Sequence, residues 1–166
     1  MVRKISIYLL IVLFSKTSLS QSDSLQQQIT QQVWKPFIQS FSNMDTRAFM
    51  AVHSVDMTRV IQDGKTIYGY EQYYRENVQG DERSKKANRK RTIELRFAQR
   101  IAANGKAFEV GYYKTTSIQP DGVSRSSYGK FHVLLRKEKG VWKILMDADA
   151  SEKTDEAVFL SAEPMQ

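Results

Sequence analysis

The feature that most constrains this chain is the segment Ser127–Ala150, in which two regularly alternating stretches flank the dipeptide Lys139-Gly140. Apolar residues occupy every second position before the dipeptide and again after it. That period of two is typical of a β-strand with one buried face. We therefore predict a β-hairpin of two long strands, with Lys139-Gly140 as its two-residue loop.

The register of this hairpin decides which side chains meet across the strands. A two-residue loop places Leu135 opposite Ile144 on an apolar face, and His132 opposite Asp147 on a mixed face. A slip of one residue would set apolar side chains against charged ones, so burial disfavours it. A three-residue loop closed by Gly140 would produce that slip, and this alternative stays open.

The first 20 residues have the pattern of a cleaved secretory signal peptide. Arg3 and Lys4 precede the apolar run Ile5–Phe14, and small residues follow at Ser18 and Ser20. The apolar run is about half the roughly 20 residues that cross a bilayer, so we expect no membrane anchor after cleavage. We predict an exported protein, either periplasmic or secreted.

The composition favours one domain without metal or disulfide. A chain of 166 residues that is 41% hydrophobic is long enough for a single core, predicted over residues 21–151, with a loosely ordered tail over 152–166. The absence of cysteine excludes disulfides, thiol nucleophiles and thiolate metal ligands. The two histidines, His53 and His132, are too few for a metal site, and we predict no cofactor.

Helices are predicted in the N-terminal half. An apolar residue recurs every fourth position from Leu25 to Phe41, which indicates one stripe of a helix, and Pro36 should kink that helix or begin a second segment. Asp45 can cap a short second helix. Tyr70–Val78 suits a third helix, and the polar stretch Gly80–Arg91 is expected to be an exposed loop.

Strands dominate the remainder of the chain. A short hairpin is predicted around Asp63-Gly64, and turns at Asn104-Gly105 and at Pro120-Asp121-Gly122 separate the long strands of a meander. Helices segregated beside an antiparallel sheet make an α+β fold. The predicted fold is thus a strongly bent sheet of about four long strands plus a short hairpin, wrapped by three helices into a cone with a cavity.

Several segments resemble one known superfamily. They are Phe49–Asp56 followed by Thr58-Arg59-Val60-Ile61 and Gly64, then Glu109–Tyr113, Gly129–Phe131 and Gly140–Ile144. These segments are similar to the SnoaL-like branch of the nuclear-transport-factor-2-like superfamily, and closest to its subgroup called domain of unknown function 4440. The resemblance implies the cone fold and a homodimer formed through the outer face of the sheet. Because this scaffold serves enzymes and binding proteins alike, it does not imply one activity.

The resemblance also implies which catalytic groups are missing. The general base of ketosteroid isomerase falls on Ile61, its oxyanion tyrosine on Phe37, and its oxyanion aspartic acid on His132. An isoleucine cannot accept a proton, so enolisation by that mechanism is excluded. The same alignment places Leu145, Asp147 and Asp149 on the cavity face of the last strand.

Two kinds of site residue follow. The predicted His132–Asp147 pair could act as acid and base in a lyase or isomerase, or could be a structural ion pair between strands. Tyrosines and one arginine are expected to bind an unidentified small organic ligand, with the aromatic rings as the wall of the pocket. The predicted ligand-binding residues are Phe37, Arg59, Ile61, Tyr68, Tyr73, Tyr112, Tyr128, Leu145 and Asp149.

Three functions remain open on the sequence. The first is a binding protein without catalysis, the second is the lyase or isomerase, and the third is a protein-interaction module. The run Arg83–Arg91 carries six basic residues, but export and the lack of stacking aromatics argue against nucleic acid as a partner.

Overall fold

The structure is a computed structural model that describes residues 23–165. The predicted signal peptide therefore lies outside the described residues. A continuous helical segment, α1, covers residues 23–43 and contains one π-helical turn at Thr30–Trp34 before its last part, Lys35–Asn43. The π turn ends where Pro36 enters the first turn of that last part, because proline has no N–H with which to continue the preceding ladder.

The other helices and strands follow in order along the chain. They are α2 Thr46–Ala51, β1 His53–Ile61, β2 Thr66–Gly69, α3 Tyr70–Lys86, β3 Lys90–Ala103, β4 Lys106–Ile118, β5 Ser124–Glu138, β6 Val141–Ala150, α4 Glu156–Leu160 and β7 Glu163–Pro164. Asp45 caps α2 as expected, since its side chain accepts a hydrogen bond from the backbone N–H of Ala48 at 3.0 Å.

The seven strands form one mixed sheet in the order β2-β1-β6-β5-β4-β3-β7. Strands β3 to β6 make the predicted antiparallel meander, and β1 pairs in parallel with β6. The sheet is strongly curled but not closed, and α1 covers its concave face with Ile29, Val33 and Trp34 in the core. The predicted α+β cone is confirmed.

The hairpin register differs from the prediction after its first pairs. Lys139 and Gly140 have φ values of 48° and 89° and form the expected two-residue loop, and Leu135 does pair with Ile144. Leu145, however, has no partner on β5, because Leu134 pairs with Met146. This β-bulge shifts every later pair by one residue.

The bulge makes the predicted His132–Asp147 pairing wrong. His132 pairs with Ala148, and Asp147 pairs with Val133, a core residue. Since paired residues share a face, Asp147 points into the cone and His132 points to the outer face. The same shift places Asp149 opposite Phe131, also on the concave face.

The expected loop over Gly80–Arg91 is also wrong, because α3 continues to Lys86 and β3 begins at Lys90. The contacts of Asp81 explain why the helix extends past Gly80. The Asp81 side chain is buried and accepts a hydrogen bond from Thr46 Oγ1 at 2.5 Å. Arg91 Nη2 lies 2.6 Å from the same carboxylate, which joins α3 to β3.

The C-terminal segment is folded, contrary to the expectation of a loose tail. Asp155 caps α4 through the backbone N–H of Val158, and β7 pairs with β3 at the edge of the sheet. Phe159 is buried, with its ring centroid 5.9 Å from that of Tyr128. The helix α4 therefore packs against the outer face of the sheet.

Candidate functional site

A cavity of about 250 Å³ lies between the concave face of the sheet and the helices α1, α2 and α3. Its wall is mostly aromatic and aliphatic. The apolar lining consists of Trp34, Phe37, Phe41, Phe49, Ile93, Leu95, Phe131, Val133 and Ile144. A concave, mostly apolar chamber with a few convergent polar groups is the usual form of a small-molecule site.

One wall of the cavity is polar, and we name the three residues Arg59, Asp147 and Asp149 the open cluster. Arg59 lies on β1 directly beside Asp147 on β6, and both side chains are almost fully buried. Arg59 Nη1 lies 3.4 Å from Asp147 Oδ1, and Nη2 donates to Asp149 Oδ1 at 2.7 Å. One guanidinium thus bridges two carboxylates, which suits its planar fork of donors.

Two tyrosines complete the polar wall. Tyr73, from α3, donates to Asp147 Oδ2 at 3.4 Å, and Tyr113, from β4, donates to Asp149 Oδ2 at 3.2 Å. Burial raises the pKa of both phenols, and the neighbouring carboxylates raise it further. Both hydroxyl groups therefore keep their protons at neutral pH and serve as donors.

His53 lies behind this wall. Its Nδ1 is 3.0 Å from the carbonyl oxygen of Phe49, and its ring packs edge-on against Tyr73, with the centroids 5.6 Å apart. Burial lowers the pKa of His53 to about 4, against an opposing contribution from the charge of Asp147. The imidazole is therefore neutral at pH 7 and adds no charge to the cavity.

A second buried ion pair lies deeper in the cone, and we name Arg100, Glu109 and Trp34 the closed cluster. Glu109 is fully buried, accepts from Arg100 Nε at 2.9 Å and accepts from Trp34 Nε1 at 2.5 Å. Burial raises the pKa of Glu109, while the guanidinium of Arg100 opposes that change. Of its three members only Trp34 lines the cavity.

A glycine makes room for one of the tyrosines. Gly129 pairs with Tyr113 across β4 and β5. A Cβ at Gly129 would lie 2.2 Å from the hydroxyl oxygen of Tyr113. The Tyr113 ring lies directly over this glycine, which lets its hydroxyl reach Asp149.

The structure brings together five of the eleven residues predicted for the site, and they are Phe37, Arg59, Tyr73, Asp147 and Asp149. The others do not line the cavity. Tyr112 pairs with Arg96 and Lys130 on the outer face, and Tyr128 contacts Phe159 there. Tyr68 lies on β2 and donates to Glu76 at 2.7 Å.

The remaining three misplaced residues are Ile61, Leu145 and His132. Ile61 pairs with Asp149 at the end of β1, Leu145 is the bulged residue, and His132 is on the outer face. The wall is therefore not built mainly of tyrosine, since most of its rings are phenylalanine and tryptophan. The predicted site residues omit Trp34, Phe49, Asn77 and Tyr113. Trp34 follows Val33 of the predicted stripe, and Tyr113 follows the predicted Tyr112, so strand alternation places it on the other face.

Comparison with known proteins gives the fold. No protein-family model matches this chain, and no curated protein matches it. A nuclear-transport-factor-2-like protein from Salmonella enterica is 17% identical, with a TM-score of 0.64 over 81% of this chain and 96% of that one. A nuclear-transport-factor-2-like protein with a cystatin-like fold from Novosphingobium aromaticivorans is 12% identical, with a TM-score of 0.66 over 88% and 92%.

A third solved structure of similar shape is the association domain of CaMKII from C. elegans. It is 14% identical, with a TM-score of 0.61 over 78% of this chain and 98% of that one. Likeness at these identities shows a common fold and does not show a common ligand or reaction.

Proposed function

The nuclear-transport-factor-2-like fold of this chain is the premise for its function, and we propose that the protein binds a small molecule in its cavity without catalysis. We further propose that the end of the ligand held by the open cluster is a hydrogen-bond donor, such as an amine. The aromatic wall would hold an apolar ring. This ligand class is inferred from which polar groups in the wall are already occupied.

The observation that carries the proposal is the inventory of donors and acceptors. Tyr73 and Tyr113 direct their hydroxyl groups at the two carboxylates, and Arg59 directs Nη2 at Asp149. Arg59 Nη1 lies near Asp147 Oδ1 but donates to the backbone oxygens of Asp147 and Val60, and Arg59 Nε is buried without a partner among the described residues. Two carboxylates offer about eight acceptor positions, and those contacts use about half of them. The polar wall therefore has about four acceptor positions to spare against one unpartnered donor, and a ligand that mainly donates hydrogen bonds matches it.

Charge supports the same ligand class. Two aspartates against one arginine, with His53 neutral, leave the wall with a net charge of −1. The side chain of Asp149 is 21% exposed, so a ligand in the cavity can reach it. A cation would balance this charge, and aromatic faces at Phe37 and Phe49 would stabilise it further.

Two probes with nearly the same skeleton and opposite charge test this proposal. Phenethylamine and phenylacetate should be titrated against the protein at pH 7 by calorimetry or by amide chemical shifts. We expect the amine to bind at least about tenfold more tightly, which is about 1.4 kcal/mol. Equal affinities, a preference for the carboxylate, or no binding of either probe would contradict the proposal.

Acid and base catalysis by His132 with Asp147 is not supported, because the two side chains lie on opposite faces of the sheet. His132 is half-buried among outer-face residues. The enzyme hypothesis in that form is withdrawn.

We propose, in addition, that the outer face of the sheet forms a homodimer. The row Phe108, Leu134 and Met146 crosses three strands on that face, and Leu134 is 40% exposed. Leu134→Glu should convert a dimer into a monomer in light scattering. A wild-type monomer, or a variant that stays dimeric, would contradict this interface.

Export also remains a proposal, supported by the signal-like first 20 residues. No helix in residues 23–165 is long and apolar enough to cross a membrane. The finer assignment to the SnoaL-like branch, and to its subgroup domain of unknown function 4440, rests on the sequence resemblance alone. A mature protein that begins at Gln21 in the exported fraction would support the signal, and one that retains Met1 would contradict it.

A further inference from the structure

The concave face of the sheet changes character in three successive rows as it leaves the cavity. The first row pairs Leu95, Tyr113 and Gly129, and the second pairs Ile93, Thr115 and Ser127. The third pairs Arg91, Ser117 and Arg125. Apolar and aromatic side chains thus give way to hydroxyl groups and then to two arginines on the same face.

This third row lies in a separate recess of about 270 Å³ that adjoins the cavity. Phe41 and Thr115 line both spaces. Arg89, Lys90, Arg91 and Arg125 line the recess, and it has no acidic lining residue. Four positive charges meet in one concavity that opens beside the proposed ligand site.

Only one of these four cations has an acidic partner among residues 23–165. Arg91 pairs with Asp81, and its Nε donates to the carbonyl oxygen of Phe41 at 2.7 Å. Arg89 donates to the neutral side chain of Gln119 at 3.0 Å. Lys90 and Arg125 form neither an ion pair nor a side-chain hydrogen bond in the described part of the chain.

Arg91 and Arg125 flank Ser117 on one face, with one strand between them, so an anion held over Ser117 would lie between two guanidinium groups. Hydroxyl groups add donors at the same place, since Ser84, Ser117 and Ser127 also line the recess. Arginines with hydroxyl donors are the usual partners of phosphate, sulfate and carboxylate oxygens.

We propose that this recess is an oxyanion-binding site at the mouth of the cavity. Arg125 supplies uncompensated charge on that face, Lys90 adds charge from the start of β3, and Ser117 and Ser127 supply neutral donors. The site does not depend on the proposed ligand class of the cavity, because it shares no residue with the open cluster; Thr115 is the one polar residue that lines both spaces.

Sulfate binding at constant ionic strength tests the site, with chloride as the reference salt. Amide shifts of Ser117, Arg125 and Ser127 should saturate with sulfate. The double substitution Lys90→Gln with Arg125→Gln should weaken sulfate binding at least about tenfold. Charge-assisted hydrogen bonds from cationic side chains to the anion are about twice as strong as neutral ones, and this variant removes two of the cations. Lys35→Gln with Lys106→Gln removes the same charge from exposed positions outside the recess and should change the affinity less than about twofold.

Shifts that rise linearly without saturation would overturn the proposal. Equal weakening in both double variants would also overturn it, because the effect would then follow net charge alone. The amide spectrum of each variant checks that it is folded. We expect both variants to fold, since the side chains of Lys90 and Arg125 form no hydrogen bond or ion pair in the described part of the chain.

A second pair of probes identifies the source of the anion. Inorganic phosphate and phenyl phosphate carry the same oxyanion, but only the second has a ring. Tighter binding of phenyl phosphate, with shifts at Phe131 and Val133 of the cavity, would assign the recess to the acidic group of a cavity ligand. Equal affinities would assign it to a free ion, and binding of neither would overturn the site.

Discussion

Two buried arginine–carboxylate clusters lie on the same concave face, and they differ in charge balance and in access to the cavity. In the closed cluster the guanidinium of Arg100 faces a single carboxylate, and Glu109 is fully buried and does not line the cavity. In the open cluster Asp147 and Asp149 share one guanidinium and line the cavity. A buried charge serves the fold when its counter-charge is complete, and can serve a ligand when a carboxylate is left in excess beside a cavity.

The largest effect is expected from breaking the closed cluster. Glu109→Ala leaves the Arg100 guanidinium and the Trp34 N–H without their acceptor inside the core. Removing one partner of such a pair should lower the free energy of unfolding by about 3 to 5 kcal/mol. Urea denaturation measures this change.

The matched control is Glu94→Ala on the neighbouring strand, whose side chain is 59% exposed and 3.8 Å from Lys114. We expect less than about 0.5 kcal/mol there. A similar loss in both variants would remove the distinction between buried and exposed carboxylates in this protein.

The next effect concerns His53, which lies behind the open cluster. Burial lowers its folded-state pKa from 6.5 to about 4, so the unfolded state binds more protons between these values. The folded state is therefore most stable above pH 6.5, where His53 is neutral in both states, and it loses stability as the pH falls from 6.5 towards 4. Unfolding free energy should therefore fall by about 2 kcal/mol between pH 7 and pH 5. A His53→Gln variant with the same pH dependence would assign the effect to other groups.

A smaller effect on stability and a clear effect on binding are expected at the open cluster. Asp149→Asn keeps the shape of the side chain and leaves Arg59 paired with Asp147. Phenethylamine should bind at least about tenfold more weakly, while the free energy of unfolding changes by about 1 kcal/mol or less. Benzyl alcohol has the same ring without the charge, and its affinity should change less. A loss of stability as large as in Glu109→Ala would place Asp149 with the structural cluster.

The smallest effect should come from Gly129, because the atoms that a Cβ would meet belong to the movable ring of Tyr113. Gly129→Ala should displace that ring from Asp149, which frees one acceptor position on the carboxylate and should strengthen amine binding by about threefold. Gly111→Ala provides the contrast, since its Cβ would lie 2.1 Å from the backbone oxygen of Arg96. We expect that variant to lose stability instead, and equal outcomes in thermal unfolding and titration would contradict this reading of Gly129.

Local signals made most of the fold predictable. The turn at Lys139-Gly140, the cap at Asp45 and the apolar stripe of α1 depend on residues close together in the chain, and each is present. The extension of α3 was not predictable in this way. Its buried residue is Asp81, whose partner Thr46 lies 35 residues earlier and whose partner Arg91 lies beyond the end of the helix, on β3.

The site was less predictable because of one residue. Trp142, Ile144 and Met146 alternate without interruption, so nothing in the pattern indicates that Leu145 is bulged. Asp147 and Asp149 line the cavity, as the resemblance implies, but their partner there is Arg59 on a distant strand and not His132. The tyrosines show the same limit, since composition counts them but only register distinguishes Tyr113 inside from Tyr112 outside.

The unpaired Leu145 is one extra residue in β6, and it reverses the face of the sheet that each later residue of this strand occupies. If Leu145 were paired and the alternation unbroken, Met146 and Ala148 would point into the cone and both aspartates would turn to the outer face. Deleting Leu145 would instead join Ile144 directly to Met146, keep Met146 opposite Leu134 and leave the aspartates inside. A slip of register alone, with every residue kept, would therefore exchange the acidic wall for an apolar one.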